Sequence, residues 1–133
     1  MNILIVDDSK IARISMEKIV RNYFQQKGWY SPTIFRADDG ERATRILQKH
    51  KINMVLLDYN MPNMNGEELV EYIRAYKDWN SVRIVMVTTE GSKESVMRLI
   101  KKGVNSYIVK PFNQEKVFQK LDILTARMIV CSG

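Results

Sequence analysis

The most informative stretch of this chain is the apolar run Met54-Val55-Leu56-Leu57, which ends at Asp58 and is followed by Tyr59-Asn60-Met61-Pro62-Asn63-Met64-Asn65-Gly66. An apolar run of this length is too short for a helix and is typical of a β-strand that is buried on both faces. The asparagines, proline and glycine that follow are typical of a turn. Asp58 is therefore predicted at the carboxyl end of a buried strand, where open α/β sheets bind their ligands.

Similar apolar runs alternate along the chain with segments of helical period. Strands are predicted at residues 2–6, 33–36, 54–57, 83–87 and 106–109. Helices are predicted at about residues 9–27, 41–49, 66–76 and 93–102, and a fifth helix is predicted to start near Asn113. In the fourth helix, Val96, Leu99 and Ile100 are expected to face the sheet. Strict alternation predicts an α/β fold, a doubly wound five-stranded parallel sheet with five helices on its two faces.

Composition predicts a single globular domain over residues 1–133, located in the cytoplasm. The charged content of 27% is that of an ordinary globular protein. The net charge is +6, but the cations are scattered and not interleaved with stacking aromatics, which argues against direct nucleic-acid binding. Cys131 is the single cysteine, which excludes an internal disulfide and suits a reducing compartment. No segment approaches the roughly 20 apolar residues that cross a bilayer, so no membrane insertion is expected.

Polar side chains follow the predicted strands at the points where the strands end. Asp7 and Asp8 come after the first strand, and Asp58 comes after the third. The carboxyl ends of parallel strands meet at one edge of a sheet, so these carboxylates are expected to lie together. Carboxylates held together repel one another unless a cation is present, and all-oxygen ligands favour Mg²⁺. The sequence therefore predicts a magnesium site at this edge.

The remaining strand ends supply groups that suit phosphoryl transfer. Asp58 is an ionised nucleophile at neutral pH and needs no general base. Thr88 and Lys110 follow the fourth and fifth strands, and their hydroxyl and ammonium groups would offset charge on phosphoryl oxygens. Backbone N–H groups after Asp58 and at Thr89 would complete the set of hydrogen-bond donors around the phosphoryl group.

Each of these residues also has an ordinary structural interpretation. The Asp7-Asp8 pair could cap the first helix, and Asp58 could be a turn residue. Lys110 could be a solvated charge, and Thr88 a β-branched residue at the end of a strand. Tyr107 could simply pack in the core. The four motifs occurring together favour the functional interpretation for the site as a whole.

The chain resembles the receiver domains of two-component response regulators, and most of all the CheY-type chemotaxis receivers. The matching strings are Ile5-Val6-Asp7-Asp8-Ser9, Asp58-Tyr59-Asn60-Met61-Pro62-Asn63-Met64-Asn65-Gly66, Val87-Thr88-Thr89-Glu90 and Val109-Lys110-Pro111-Phe112. The resemblance implies a flavodoxin-like sheet of order 2-1-3-4-5. It also implies that Asp58 is the phosphoacceptor and that Asp7, Asp8, Asp58 and the backbone carbonyl of Asn60 bind Mg²⁺.

The resemblance assigns further roles around the acceptor. Thr88, Thr89 and Lys110 would bind the phosphoryl group, and Lys110-Pro111 would be a cis peptide. Thr88 and Tyr107 would act as the switch, and Asn60 and Glu90 would tune the lifetime of the aspartyl phosphate. These roles are those of a phosphorelay protein and not of an enzyme, since the chain would assist only its own phosphorylation and dephosphorylation.

The same resemblance implies two kinds of partner. A histidine kinase or a phosphotransfer protein would phosphorylate Asp58. The face formed by the fourth helix, fifth strand and fifth helix would then bind a downstream protein, either the flagellar motor or another effector.

Two alternatives follow from the same residues. The chain could be a receiver domain cut from a larger regulator with a DNA-binding or enzymatic output domain. Residues 126–133 would then be a truncated linker, whereas in a single-domain receiver they would extend the fifth helix. A Mg²⁺-dependent phosphohydrolase would need a second acid or base near Asp58, and Asn60 stands where such a group would help.

Overall fold

Five parallel strands form a sheet of order β2-β1-β3-β4-β5 within the part of the chain that the structure, a computed structural model, describes. That part comprises residues 1–126 and 128. The strands are β1 (Asn2–Val6), β2 (Thr33–Ala37), β3 (Met54–Asp58), β4 (Arg83–Thr88) and β5 (Ser106–Val109). The helices are α1 (Lys10–Lys27), α2 (Gly40–Lys49), α3 (Gly66–Arg74), α4 (Lys93–Lys101) and α5 (Gln114–Thr125). The predicted doubly wound, flavodoxin-like α/β fold with order 2-1-3-4-5 is confirmed.

The central strands are apolar between their ends because each contributes side chains to two cores. Successive side chains of a strand point to opposite faces of the sheet. On one face, side chains such as Leu4 and Leu57 pack against α2, α3 and α4. On the other face, side chains such as Ile5 and Leu56 pack against α1 and α5. Both faces of the sheet are therefore covered, as in parallel α/β sheets generally.

Every α-helix begins with a polar side chain that accepts a hydrogen bond from the backbone of its first turn. The capping residues are Ser9, Asp39, Asn65, Ser92 and Asn113. Because each of these helices follows a strand directly along the chain, the helix starts and the strand ends lie at the same edge of the sheet. This arrangement places short, well-anchored loops around Asp58.

The structure corrects the predicted boundaries of three strands. Strands β2, β3 and β4 each continue one residue further, to Ala37, Asp58 and Thr88. The reason is that pairing with the neighbouring strand persists at these positions, as in the pairs of Asp58 with Val87 and Thr88 with Val109. Asp58 and Thr88 are therefore held by the pairing of the sheet itself.

Two features of the helices also differ from the prediction. Helix α3 ends at Arg74, because a 3₁₀ turn at Lys77–Trp79 follows and the Arg74 guanidinium donates to the carbonyls of Trp79, Val82 and Gly103 at 2.7–3.0 Å. Ile100 was expected to face the sheet but is 50% exposed. Helix α4 buries Val96 and Leu99, and Ile100 lies beside this narrow stripe.

The question of whether residues 126–133 extend α5 falls largely outside the described residues. Ala126 caps the carboxyl end of α5, and Met128 packs against the core on the α1–α5 face.

Gly66 brings the start of α3 into contact with the backbone of Asp58 and Tyr59. Its N–H donates to the Tyr59 carbonyl at 2.9 Å. A Cβ atom at this position would lie 2.8 Å from the Asp58 carbonyl oxygen and 2.9 Å from the Tyr59 Cα atom, which are both backbone atoms. The absence of a side chain at Gly66 therefore fixes how closely α3 approaches the end of β3.

We expect Gly66→Ala to destabilise the fold by about 1–3 kcal/mol, because the added methyl group forces backbone atoms apart. Helix propensity alone predicts the opposite sign, a gain of about 1 kcal/mol. Urea unfolding measures the difference. Lys93→Ala, at the exposed first position of α4, is the control and should change stability by less than about 0.5 kcal/mol. A Gly66→Ala protein as stable as the parent would contradict this account of the close contact.

Candidate functional site

Three carboxylates meet where the neighbouring strands β1 and β3 end. Asp7 follows β1, Asp58 closes β3, and the two residues are 7% and 4% exposed. Asp8 points toward solvent at the rim. One oxygen from each of the three carboxylates lies within 4.8 Å of the others. The structure thus brings together the three aspartates that the sequence predicted, at the point where the winding of the sheet reverses.

The carboxylate of Asp7 is oriented by the first turn of α1. Ser9 N–H donates to Asp7 Oδ1 at 2.9 Å, and the Arg13 guanidinium donates to the Asp7 backbone carbonyl at 2.6 Å. Burial raises the pKa of Asp7, the Ser9 hydrogen bond opposes this shift, and the charge of Asp58 raises the pKa further. The anionic site is therefore incompletely neutralised by the protein.

This set of ligand atoms fits a hard divalent cation. All of the donors are carboxylate oxygens, and two of the three carboxylates are buried. Burial and, to a smaller extent, the charge of Asp58 raise the pKa of Asp7, and a divalent cation at this point would offset both. The three aspartates are the residues that would hold it.

The ammonium group of Lys110 contributes a positive charge from the protein itself to the acidic site. Its Nζ atom donates to Asp58 Oδ1 at 2.9 Å and lies 3.8 Å from Asp7 Oδ2. Burial opposes the ammonium charge, but the hydrogen bond to Asp58 and the nearby carboxylates raise the pKa of Lys110 above its ordinary value. The residue therefore remains charged at neutral pH. The peptide bond to Pro111 is cis, as expected.

Four further predicted site residues, Asn60, Thr88, Thr89 and Glu90, line a cleft of about 260 Å³ that Tyr59 and part of α4 complete. Thr88 is buried, and its Oγ1 atom accepts a hydrogen bond from Glu90 N–H at 3.0 Å. Thr89, Glu90 and Asn60 are exposed along the cleft. Its lining residues are Tyr59, Asn60, Thr88, Thr89, Glu90, Ser95, Arg98 and Leu99.

Tyr107 lies apart from the acidic pocket, at the boundary of β5 and α5. It pairs with Met86 in the sheet, two positions before the pair of Thr88 and Val109. Its half-buried ring faces the Lys120 ammonium, whose Nζ atom is 4.2 Å from the ring centroid. Tyr107 thus contacts α5 on the face that the sequence resemblance assigns to partner binding.

Sequence reasoning missed two residues at this site. Arg13 supports Asp7 through a backbone carbonyl, and a carbonyl acceptor leaves no residue-type pattern to read. Glu67 accepts hydrogen bonds from the Tyr59 phenol and from cations of the α4 segment, which are distant in sequence. Arg13 lies one helical turn after Ser9, and this spacing was the one feature of the local sequence that could have indicated that Arg13 reaches the start of the helix.

Comparisons with known proteins show which family the chain belongs to. Residues 3–122 match the family model described as the response regulator receiver domain. A chemotaxis protein CheY homolog of Campylobacter jejuni is 40% identical, over 92% of this chain and 90% of that protein. Chemotaxis protein CheY1 of Helicobacter pylori is 38% identical, over 93% and 96%. A chain in the crystal structure of a CheX–CheY–BeF₃–Mg²⁺ complex from Borrelia burgdorferi has a TM-score of 0.80 at 31% identity, over 93% of this chain and 88% of that one.

We expect Asp7→Asn to stabilise the metal-free protein by roughly 0.5–2 kcal/mol, because it removes one of the clustered charges while keeping an oxygen for Ser9 N–H. Excess Mg²⁺ should raise the unfolding temperature of the wild type and have much less effect on the variant. Thermal unfolding with a chelator and with Mg²⁺ measures both. Asp78→Asn, at an exposed position away from the pocket, should behave as the wild type does. A destabilised Asp7→Asn protein would show that the carboxylate repulsion is not the dominant energy here.

Proposed function

This chain belongs to the family of response regulator receiver domains, and we propose that its Asp58 accepts a phosphoryl group from a histidine kinase or a phosphotransfer protein. Members of this family are signalling phosphoacceptors. The observation that carries the proposal is the buried Asp58 carboxylate at the end of β3, in hydrogen-bond contact with Lys110 and clustered with Asp7 and Asp8.

The chemistry of the proposed step follows from these contacts. A carboxylate oxygen of Asp58 forms a bond to phosphorus while the bond from phosphorus to the donor breaks, and the leaving group departs with the bonding electrons. Asp7, Asp8, Asp58 and the backbone carbonyl of Asn60 would hold Mg²⁺, which offsets negative charge on the phosphoryl oxygens when it is bound. The Lys110 ammonium contributes a second positive charge to the same oxygens.

Thr88 is suited to sense the phosphoryl group. Its Oγ1 atom already accepts a hydrogen bond from Glu90 N–H, which leaves the hydroxyl proton for a phosphoryl oxygen. Thr89 N–H would be a further donor at the same edge. We assign dephosphorylation tuning to Asn60 and Glu90, because both are exposed on the cleft through which water would reach the acyl phosphate.

Switching would act through the surface formed by α4, β5 and α5. Exposed apolar side chains on this surface support binding of a protein partner, with Ile100 of α4 50% exposed and Ile123 of α5 68% exposed. In this proposal Thr88 and Tyr107 bias the surface between two pre-existing states, and the phosphoryl group favours one of them. The partner would be a flagellar motor component or another effector. The relatives from Campylobacter and Helicobacter are named as chemotaxis proteins, which supports a role in the same kind of signalling.

We also propose that residues 1–133 form a single receiver domain that works in the cytoplasm. The relatives from Campylobacter and Helicobacter support this, since the match covers 90% and 96% of their lengths. In the part of the chain that the structure describes, no helix is long and apolar enough to cross a membrane.

Incubation with Mg²⁺ and acetyl phosphate, followed by intact-mass measurement, tests the assignment of Asp58. We expect one added phosphoryl group on the wild type and none on Asp58→Asn, because the amide is not a nucleophile of this kind. Removing Mg²⁺ with a chelator should abolish labelling. Asp78→Asn retains every site residue and should label as the wild type does. Equal labelling of Asp58→Asn would place the acceptor elsewhere and overturn the proposal.

A further inference from the structure

Helix α4 is attached to the protein by few apolar side chains. Of its residues, all of which the structure describes, Val96 and Leu99 are buried. Met97 and Ile100 are 48% and 50% exposed. One side of the helix lines the open cleft next to the acceptor. A helix with so little buried apolar surface depends on its polar contacts for its position.

Those polar contacts converge on one carboxylate of α3. Glu67 Oε2 accepts from the Lys102 ammonium at 2.6 Å, directly after α4. Glu67 Oε1 accepts from Arg98 Nε at 3.3 Å and from the Tyr59 hydroxyl at 3.4 Å. The side chain of Glu67 is 19% exposed, so these interactions are partly shielded from solvent. The hydrogen bond from Lys102 and the nearby cations lower the pKa of Glu67, so it remains a carboxylate at neutral pH.

The same carboxylate is fixed relative to the acceptor. Its neighbour Gly66 donates to the Tyr59 carbonyl, and Tyr59 N–H donates to the Val87 carbonyl at 3.0 Å. Gly66 also lies so close to the Asp58 backbone that a Cβ atom would not fit. The end of β3, Tyr59 and the first turn of α3 therefore move as one unit, and Glu67 extends from this unit to α4.

We infer that Glu67 is the positioning residue that couples the acceptor segment to α4, through Tyr59 on one side and Arg98 and Lys102 on the other. The inference deepens the proposed function. Its second part, the response of α4 to phosphorylation, rests on that function. Arg98 lines the same cleft as Thr88, so a phosphoryl group on Asp58, which carries more than one negative charge, competes with Glu67 for the guanidinium. Loss of the Arg98 contact loosens α4 and changes the surface that it presents.

Hydrogen exchange of the α4 amides in the unmodified protein tests the tether itself. We expect Glu67→Gln to exchange about fivefold faster than the wild type at low salt, because the ion pairs are lost. The difference should become smaller near 1 M salt, where the screening length is about 3 Å, but it should not vanish, because the ion pairs are partly buried. Glu71→Gln is the matched control, since Glu71 lies one turn further along α3 and contacts Lys102 but neither Tyr59 nor Arg98. Its effect should be less than about twofold.

Exchange in Glu67→Gln equal to the wild type at low salt, or equal acceleration in Glu71→Gln, would overturn the tether. Unfolding midpoints in urea, measured for the wild type and both variants, are the check for a general loss of stability, which would accelerate exchange in every element.

The coupling is tested with beryllofluoride and Mg²⁺ as a mimic of the phosphoryl group. We expect the wild type to show a change of about threefold or more in α4 exchange, and Tyr59→Phe and Glu67→Gln to show less than half of it. An undiminished response in both variants would overturn the coupling. If the wild type gave no response and Asp58 took no phosphoryl group, the proposed function would fail together with this coupling. The salt-dependent tether would still be decided by the first experiment.

Discussion

Mutual repulsion among the carboxylates of Asp7, Asp8 and Asp58 is the constraint around which this protein is organised. Three anionic groups within 4.8 Å of one another, two of them buried, are unfavourable in a folded protein. The structure offsets part of this repulsion with the Lys110 ammonium and the Ser9 N–H group. What remains is an affinity for positive charge at the edge of the sheet where the three carboxylates meet.

A site under such repulsion needs a rigid support, and the sheet supplies it. Asp58 and Thr88 belong to paired strands, so their backbones are held by hydrogen bonds to neighbouring strands on either side of the pocket. Helix α3 contacts the backbone of Asp58 and Tyr59 through Gly66, which has no side chain to separate them. Helix α4, in contrast, buries two side chains and has charged contacts to α3 through Glu67.

Much of the fold and of the candidate site could be predicted from the sequence. The strands are visible as short apolar runs, and the site residues are the polar residues at which these runs end. Asp58 and Lys110 were found in this way, and the structure joins them at 2.9 Å. The rest depends on contacts that have no local signature. Arg13 binds a backbone carbonyl, and Glu67 meets cations some 30 residues away along the chain. Ile100 was misplaced because periodicity predicts a face but not how wide the buried stripe will be.

The sheet divides the interior into two cores, and no described buried side chain belongs to both. One core is shared with α1 and α5, and the other with α2, α3 and α4. Substitutions that remodel one layer therefore need no compensating change in the other, since the strands between them are kept in place by backbone pairing. Descendants of this protein can acquire new recognition surfaces on one side while the opposite side stays unchanged. The cluster of three aspartates lies where the two layers meet, so a substitution there must be compatible with the packing of both layers.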